Sequence, residues 1–441
     1  MIVADDARER AFAARVSDRG AELERRGPRW LADLRRASRA RFDTLGLASA
    51  GTDGWSTRHL AALATFEPAS AVPAPVDLAA LPDAAREIPD ALELVFVDGR
   101  PIATPAGLPS AADGLWITSL SAALVAAPER LEEALGRRAP DTLTAIAALG
   151  AALAEDGAVV VVPPGMTVDR PIHIMHVASG RAEPTAIHTR SVLVASRSSH
   201  VRVLETHFAI GPGSYWTNAL TEVGVGENAS VEHYRIQLEG PRAFHSSSIE
   251  SRQAAASRYS SHRLDLGAGV VRHDLTSILD GAGAEAVLDA LWIAGAEQHV
   301  THSTVLDHAR EHTASRELYK GVLAGRARGT FHGQILVRPD AQKIDAKQSN
   351  PNLLLSDGAL AHTRPQLEIR ADDVKCTHGA TIGRLDEDAI FYLRSRGIEH
   401  TAARRLLIRA FAGEVLDRMP LAPVRHLGER LVDAALRELR G

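Results

Sequence analysis

From Gly157 onward the hydrophobic positions come in short runs of Val, Ile and Leu, beginning with AVVVVPPGMTVDRPIHI, and helical periodicity fades. Turn-like breaks recur at Arg197, Pro212, Gly226, Gly240, Gln253, Gly267, Gly281, Gly295, Ala309, Gly325, Pro339, Gly358 and Asp372, most of them 14 residues apart. A unit of that length holds one strand and a corner, but not a βαβ crossover, which needs roughly 30 residues. Two units make one turn of a flattened parallel β-helix, in which each coil pairs with the next and inward side chains stack in rows. A β-sandwich of hairpins is the alternative. Against it, the Asn-Gly or Asp-Gly turn signature is scarce, with Asp280-Gly281 and Asp357-Gly358 the main candidates.

Helical patterns flank this region. Residues 1 to about 85 carry Leu31, Leu34 and Leu45 among many Arg, Ala and Glu, and run into the loop-like EPASAVPAPVD. Between 86 and 156, ELVFVDGRPI reads as strand, turn and strand around Asp98-Gly99, while PERLEEALG and TLTAIAALGAALAEDG read as helices. After Gly383, Asp386 is placed to cap a helix that stops at Gly397. Thr401 is placed to cap the next, whose Leu406, Leu407, Phe411 and Val415 form an apolar stripe; Pro420 and Pro423 end it before a last helix from about His426. Such stripes ordinarily cover the protein's own core. The expected organisation is a helix-rich domain and connector (1–156), a β-helix core (157–383) and a C-terminal helical domain (384–441).

Composition narrows the function. Against 50 Lys and Arg stand 55 Asp and Glu, a net charge of -5, so no general positive field attracts a nucleic acid. No apolar run approaches the roughly 18 residues that cross a bilayer, and acidic residues occupy the N-terminus where an export signal would be basic and then apolar. A cytoplasmic protein without a membrane segment is expected. The sequence lacks Gly-Lys, HExxH, GxSxG and a full GxGxxG, Gly224 and Gly226 giving only half of the last. P-loop, zincin, α/β-hydrolase and Rossmann chemistry therefore lose their main support.

Of 19 histidines, 16 lie between His173 and His378, four of them (His299, His302, His308 and His312) beside Asp307 and Glu311. On a strand His299 and His302 point to opposite faces, which favours hydrogen-bonded structural histidines over a shared metal site. Cys376, the single cysteine, stands two positions from His378 in ADDVKCTHGATIG, so an extended strand puts both on one face, with Lys375 nearby to lower the thiol pKa. A soft sulfur and an imidazole make half a site for iron or sulfur chemistry. Residue types alone favour a buried cysteine beside a satisfied histidine. The four lysines, Lys320, Lys343, Lys347 and Lys375, all fall in this part of the chain.

The run QKIDAKQSNPNLLLSDGALAHTRPQLEIRADDVKCTHGATIGRLDEDAIFYLRSRGI, residues 342–398, resembles the C-terminal core of the SufD subunits of the Suf iron–sulfur cluster assembly machinery, within the SufB/SufD family. The likeness extends more loosely back to about residue 157. It implies a right-handed parallel β-helix between helical N- and C-terminal domains. It also implies a non-catalytic scaffold pairing through its β-helix with a SufB-like paralogue and receiving a SufC-like ATPase on its C-terminal helices. An isolated chain is expected to form a homodimer through the same edge. A nascent iron–sulfur cluster or iron is expected at the junction with the paralogue, none being held by this chain alone. The histidine of the KCTHGAT-type motif matches His378, Cys376 is a secondary ligand or sulfur acceptor, and Lys375, His362 and Asn350 are supporting candidates. Asn350 stands near the position of the paralogue's principal cysteine. The segment around Trp55, DGWSTRHL, departs from the acidic-Trp-Arg-Tyr-Thr pattern of SufD-like chains. Two other functions are kept as alternatives, a polysaccharide-active β-helix enzyme and a homo-oligomeric structural protein. The first is opposed by only 4% aromatic residues with which to stack sugars.

Overall fold

In the computed structural model, which describes residues 2–47, 57–68, 81, 88–102, 114–135 and 143–439, four strands precede the regular coil. They are β1 (Glu67–Pro68), β2 (Leu92–Val97), β3 (Arg100–Pro101) and β4 (Trp116–Ser119). Sixteen follow in unbroken succession: β5 (Ala158–Val162), β6 (Ile172–Ala178), β7 (Thr185–Ala195), β8 (His200–Ala209), β9 (Tyr215–Val225), β10 (Ser230–Leu238), β11 (Ala243–Gln253), β12 (Arg258–Asp265), β13 (Val270–Leu279), β14 (Glu285–Ala294), β15 (His299–His308), β16 (Ala314–Leu323), β17 (Arg328–Val337), β18 (Ile344–Leu354), β19 (Leu360–Ile369) and β20 (Val374–Gly383). From β5 on, odd strands pair with odd and even with even, always in parallel. Two sheets thus face each other across about eight coils of a mainly β, parallel β-solenoid.

Twelve of the thirteen turn-like breaks fall between strands; Gln253 instead ends β11, where its side-chain amide donates to the Glu285 carbonyl at 2.8 Å. Asp280-Gly281 and Asp357-Gly358 form coil corners that carry the chain from one parallel sheet to the other, which removes the sandwich alternative. A corner stacks directly on the one below, and at Gly281 a Cβ would lie 2.0 Å from the Ala255 amide nitrogen. Only a residue without a side chain permits that approach. Asp98-Gly99 does form a hairpin, both residues having positive φ between antiparallel β2 and β3. Because β2 also pairs with β6 and β4 with β5, the sheets reach back before Gly157 into the segment read as a connector.

Helices cover much of both outer faces as well. The helices α1 (Ile2–Glu24), α2 (Arg29–Leu45) and α3 (Thr57–Leu63) precede α4 (Leu120–Ala126), α5 (Pro128–Leu135) and α6 (Ala145–Leu153). Phe12, Val16, Leu63 and the all-buried α6 cover the odd sheet through Trp216 and Leu220. The last three helices are α7 (Glu387–Ser395), α8 (His400–Asp417) and α9 (Ala422–Glu438). Ile408, Ala412, Val415 and Leu416 on α8, with Val424, Leu427 and Val432 on α9, pack on Tyr234, Leu264, Leu291 and Val322 of the even sheet. The C-terminal stripe therefore covers the chain's own solenoid, although its Leu406 remains 48% exposed. Lys320, buried on β16, pins α8 by donating to the Phe411 carbonyl (3.0 Å), pairing with Glu414 and lying over the Phe411 ring.

Two helix starts differ from the sequence reading. Glu399, not Thr401, caps α8, its carboxylate accepting from the Ala402 amide at 3.1 Å. The last helix begins at Ala422, so Pro423 opens it, as a missing N–H in the first turn allows. Asp386 does cap α7, with Oδ1 accepting from Asp388 and Ala389. Asp386→Ala is expected to cost about 1 kcal/mol, seen as faster amide hydrogen exchange confined to α7. Unchanged exchange there would refute the cap's contribution.

Candidate functional site at the open end of the solenoid

The two ends of the solenoid differ. At the first, antiparallel β3 and β4 close the sheets. At the other, β19 and β20 are the last strands, with no partner beyond them among the described residues. Backbone donors and acceptors on two adjacent edges thus face outward, and inward side chains of the last coil have no layer above them. Interior positions that are buried in earlier coils become half-buried here, among them Ala361, Leu367, Val374 and Cys376.

Pairing with β18 fixes the directions on β20. Cys376 lies over Ala346 and His378 over Gln348, and both lower residues are buried on the interior side. Cys376 and His378 therefore share the inward face, as their spacing requires, the thiol half-buried and the imidazole exposed. Lys375 lies over Asp345 on the opposite face. The expected lowering of the thiol pKa does not occur. Burial pushes the Cys376 thiol up, a backbone hydrogen bond from Ala346 opposes this, and Asp345 reinforces it. A neutral, half-shielded thiol results.

The weaker candidates separate. Asn350 is interior, one coil down beneath Ala380, and donates to the Tyr319 carbonyl (2.8 Å) while its Oδ1 accepts from Asn352 (2.8 Å). His362 lies on β19 of the facing sheet and, alternating with interior Ala361, points outward, away from Cys376 and His378. Trp55 lies outside the described residues. The midchain histidines behave structurally: His302 is interior, 3.2 Å from Asp265 and stacked on Trp292, while His308 bonds Thr313 and Ser315. His299 faces the other way, against His59.

Sequence reasoning missed the floor of this site. Gln348, under His378, donates from Nε2 to Oε2 of buried Glu317 at 2.6 Å and reaches across the interior to β17. A Cβ at Gly333 there would lie 2.3 Å from Gln348 Nε2, so the glycine makes room for the amide. Burial pushes the Glu317 carboxyl up to about 7, against hydrogen bonds from Thr304 and Gln348. Counting back one coil, 30 residues from His378, identifies Gln348, but only when the local coil length is known. Sulfur and imidazole suit iron, yet two donors leave coordination incomplete. Among the described residues no group of three His, Cys, Asp or Glu is placed to hold a metal ion.

Comparison with known proteins gives the family. Residues 176–411 match the family model "SUF system FeS cluster assembly, SufBD core domain", and residues 86–174 match "SufBD protein N-terminal region". The iron–sulfur cluster assembly SufBD family protein slr0076 of Synechocystis sp. is 34% identical over 413 residues, 90% of this chain and 89% of that protein. The iron–sulfur cluster assembly protein SufD of Escherichia coli is 31% identical over 75% of this chain and 76% of its own length. Protein ABCI7, chloroplastic, of Arabidopsis thaliana is 31% identical over 78% of this chain and 73% of its own. With a matched core spanning more than half its length and relatives above 30% identity across most of both chains, the chain belongs to the SufBD family of Suf-system iron–sulfur cluster assembly proteins.

Proposed function

We propose that this chain is a non-catalytic, SufD-type scaffold whose open solenoid end is completed by a SufB-like paralogue. The carrying observation is the pair of unpartnered edges on β19 and β20, which end the coil with Cys376 and His378 facing its exposed interior. Strand addition there satisfies backbone groups on both sheets and roofs the two side chains. A nascent cluster, as cargo, draws imidazole from His378 and a thiolate or sulfur acceptor from Cys376, the paralogue supplying the remaining ligands. The raised thiol pKa keeps Cys376 protonated until a metal ion displaces the proton, or until a donor persulfide passes its outer sulfur to the thiol and departs as a thiol itself.

A SufC-like ATPase is placed on the C-terminal helices. Phe391 (72% exposed) and Tyr392 (57%) on α7 support this, because the apolar faces of α8 and α9 are already spent on the solenoid. An isolated chain pairs with itself through the bare edge until the paralogue replaces it. The test is co-expression with both partners. His378→Ala is expected to lower cluster yield about tenfold or more in an intact complex, in line with loss of a ligand or its support, and Cys376→Ser to lower it less. Full yield from an intact His378→Ala complex would refute the site, and failure to form a mixed complex would refute the scaffold reading.

A further inference from the structure

A second site lies on the outer face of the odd sheet, on the opposite side of that sheet from the bare end's interior, with its last row member one rung below the edge strand β19. We propose that a cleft between α3 and the corners preceding β11, β13, β15 and β17 binds a small organic anion, carrying a phosphate or carboxylate group and of mononucleotide size. Its floor is one side-chain row running across four coils, with Phe244 over Val270, Val270 over His299 and His299 over Arg328. Its rim is formed by corner residues Arg242, Glu297 and Arg326, and its roof by His59 and Ala62. The open cleft has a volume of about 480 Å³, within the usual range for small-molecule sites.

The cleft owes its depth to Gly269. At that corner a Cβ would lie 2.4 Å from the Pro241 carbonyl oxygen, so no side chain fills the space between the projecting Arg242 and Glu297 corners. Charge supplies the selectivity. Arg326 is neutralised by Glu297, whereas neither Arg242 nor Arg328 has a carboxylate partner among the described residues, and the Arg242 guanidinium makes only a hydrogen bond to the Pro212 carbonyl. Two uncompensated guanidinium groups thus face one cleft in a chain whose net charge is -5. Guanidinium forks match carboxylate and phosphate oxygens in pairs, which a scattered surface charge does not. The aromatic wall gives the organic part of the ligand an apolar contact: the His59 ring lies edge-on to His299 (4.6 Å between centroids) and to Phe244 (6.4 Å). Burial, and then Arg328, pushes the His299 imidazole below its usual pKa, with Glu297 opposing them, so it adds a hydrogen-bonding group and not another cation. Strand rungs about 4.8 Å apart put the β11 and β17 ends of the row about 14 Å from each other, long enough for a mononucleotide and too long for a single inorganic ion to span.

Isothermal titration of the full chain at low ionic strength, with adenosine monophosphate, citrate and inorganic phosphate as probes, tests the site. Adenosine monophosphate or citrate is expected to bind with Kd on the order of 100 µM, at least about tenfold tighter than phosphate. Arg242→Ser/Arg328→Ser should weaken that binding by about tenfold or more. Ala62→Tyr, which keeps every charge but fills the cleft from its roof, should also abolish it. The control Arg394→Ser/Arg437→Ser removes the same charge elsewhere and should bind as the wild type does. Absence of saturable binding, equal affinity for all three probes, an unaffected Ala62→Tyr protein, or equal weakening in the control would each overturn the proposal. A thermal melt of every variant separates these results from misfolding.

Discussion

Replacing Asp265 with alanine is expected to cost about 3–5 kcal/mol at neutral pH, the largest single-residue loss of stability foreseen in this chain. Asp265 sits on the inner face of β12, where its Oδ2 accepts from Arg263 Nε at 2.6 Å and lies 3.2 Å from His302 Nε2. All three side chains are essentially excluded from solvent, and Arg263 also donates to Ser247 at 3.1 Å. Without the carboxylate, a guanidinium is left in the solenoid interior facing a second buried cation, Arg235, whose own partner is Glu205 (2.9 Å). Removing both members, as in Arg263→Met/Asp265→Leu, should recover most of the loss, since the desolvated charge then disappears along with its partner. Urea denaturation of the two variants checks this. A single variant losing less than about 1 kcal/mol would mean the interior is wet enough to solvate Arg263.

The second large effect depends on pH. Burial raises the Glu317 carboxyl from 4.5 to about 7, so between those values the folded chain holds a proton that the unfolded chain has lost. Stability therefore falls as pH rises through this window: the contribution is complete below about 4.5 and gone above about 7, amounting to roughly 3 kcal/mol. Glu317→Gln keeps an oxygen to accept from Gln348 but cannot ionise. It is expected to be more stable than the wild type by about 3 kcal/mol at pH 8 and by only about 1 kcal/mol at pH 5. Parallel urea titrations at the two pH values measure the difference, and a constant offset between the proteins would show that Glu317 ionises normally. The pH range matters functionally, because this carboxyl holds the amide beneath His378.

Much of the architecture was legible because corners and strands are local. Gly, Pro and Asp at the breaks encode reversals, and the 14-residue interval is too short for any crossover but a solenoid corner. Helix signals at Asp386 and Gly397 were equally local, whereas the choice between Glu399 and Thr401 as a cap was not, since both side chains can accept from the first turn. The interior was far less legible. In strands such as β11, AFHSSSIESRQ, nearly every position is buried, because one sheet face packs on the other sheet and its reverse on helices. Alternation of polar and apolar residues then stops reporting which side faces inward. That is why His245, Glu239 and Arg235 could not be assigned to the core from composition, although they form buried ion pairs there.

The candidate site divides in the same way. That Cys376 and His378 share a face follows from strand period alone, and so does the opposite placement of Lys375. By itself the chain sequence determined the strand-and-corner repeat, the flanking helices, the single thiol and the family likeness carried by residues 342–398. Which residues lie above and below one another was decided only in three dimensions. Stacked partners are 28 residues apart at Val231 and Tyr259, 30 at Gln348 and His378, and 32 at Arg328 and Leu360. Each corner adds or removes residues to suit its own packing, and a shift of one residue would turn a whole strand inside out. Burial of both sheet faces selects the register, and with it the acid, amide and imidazole column at the open end and the paired arginines of the outer cleft.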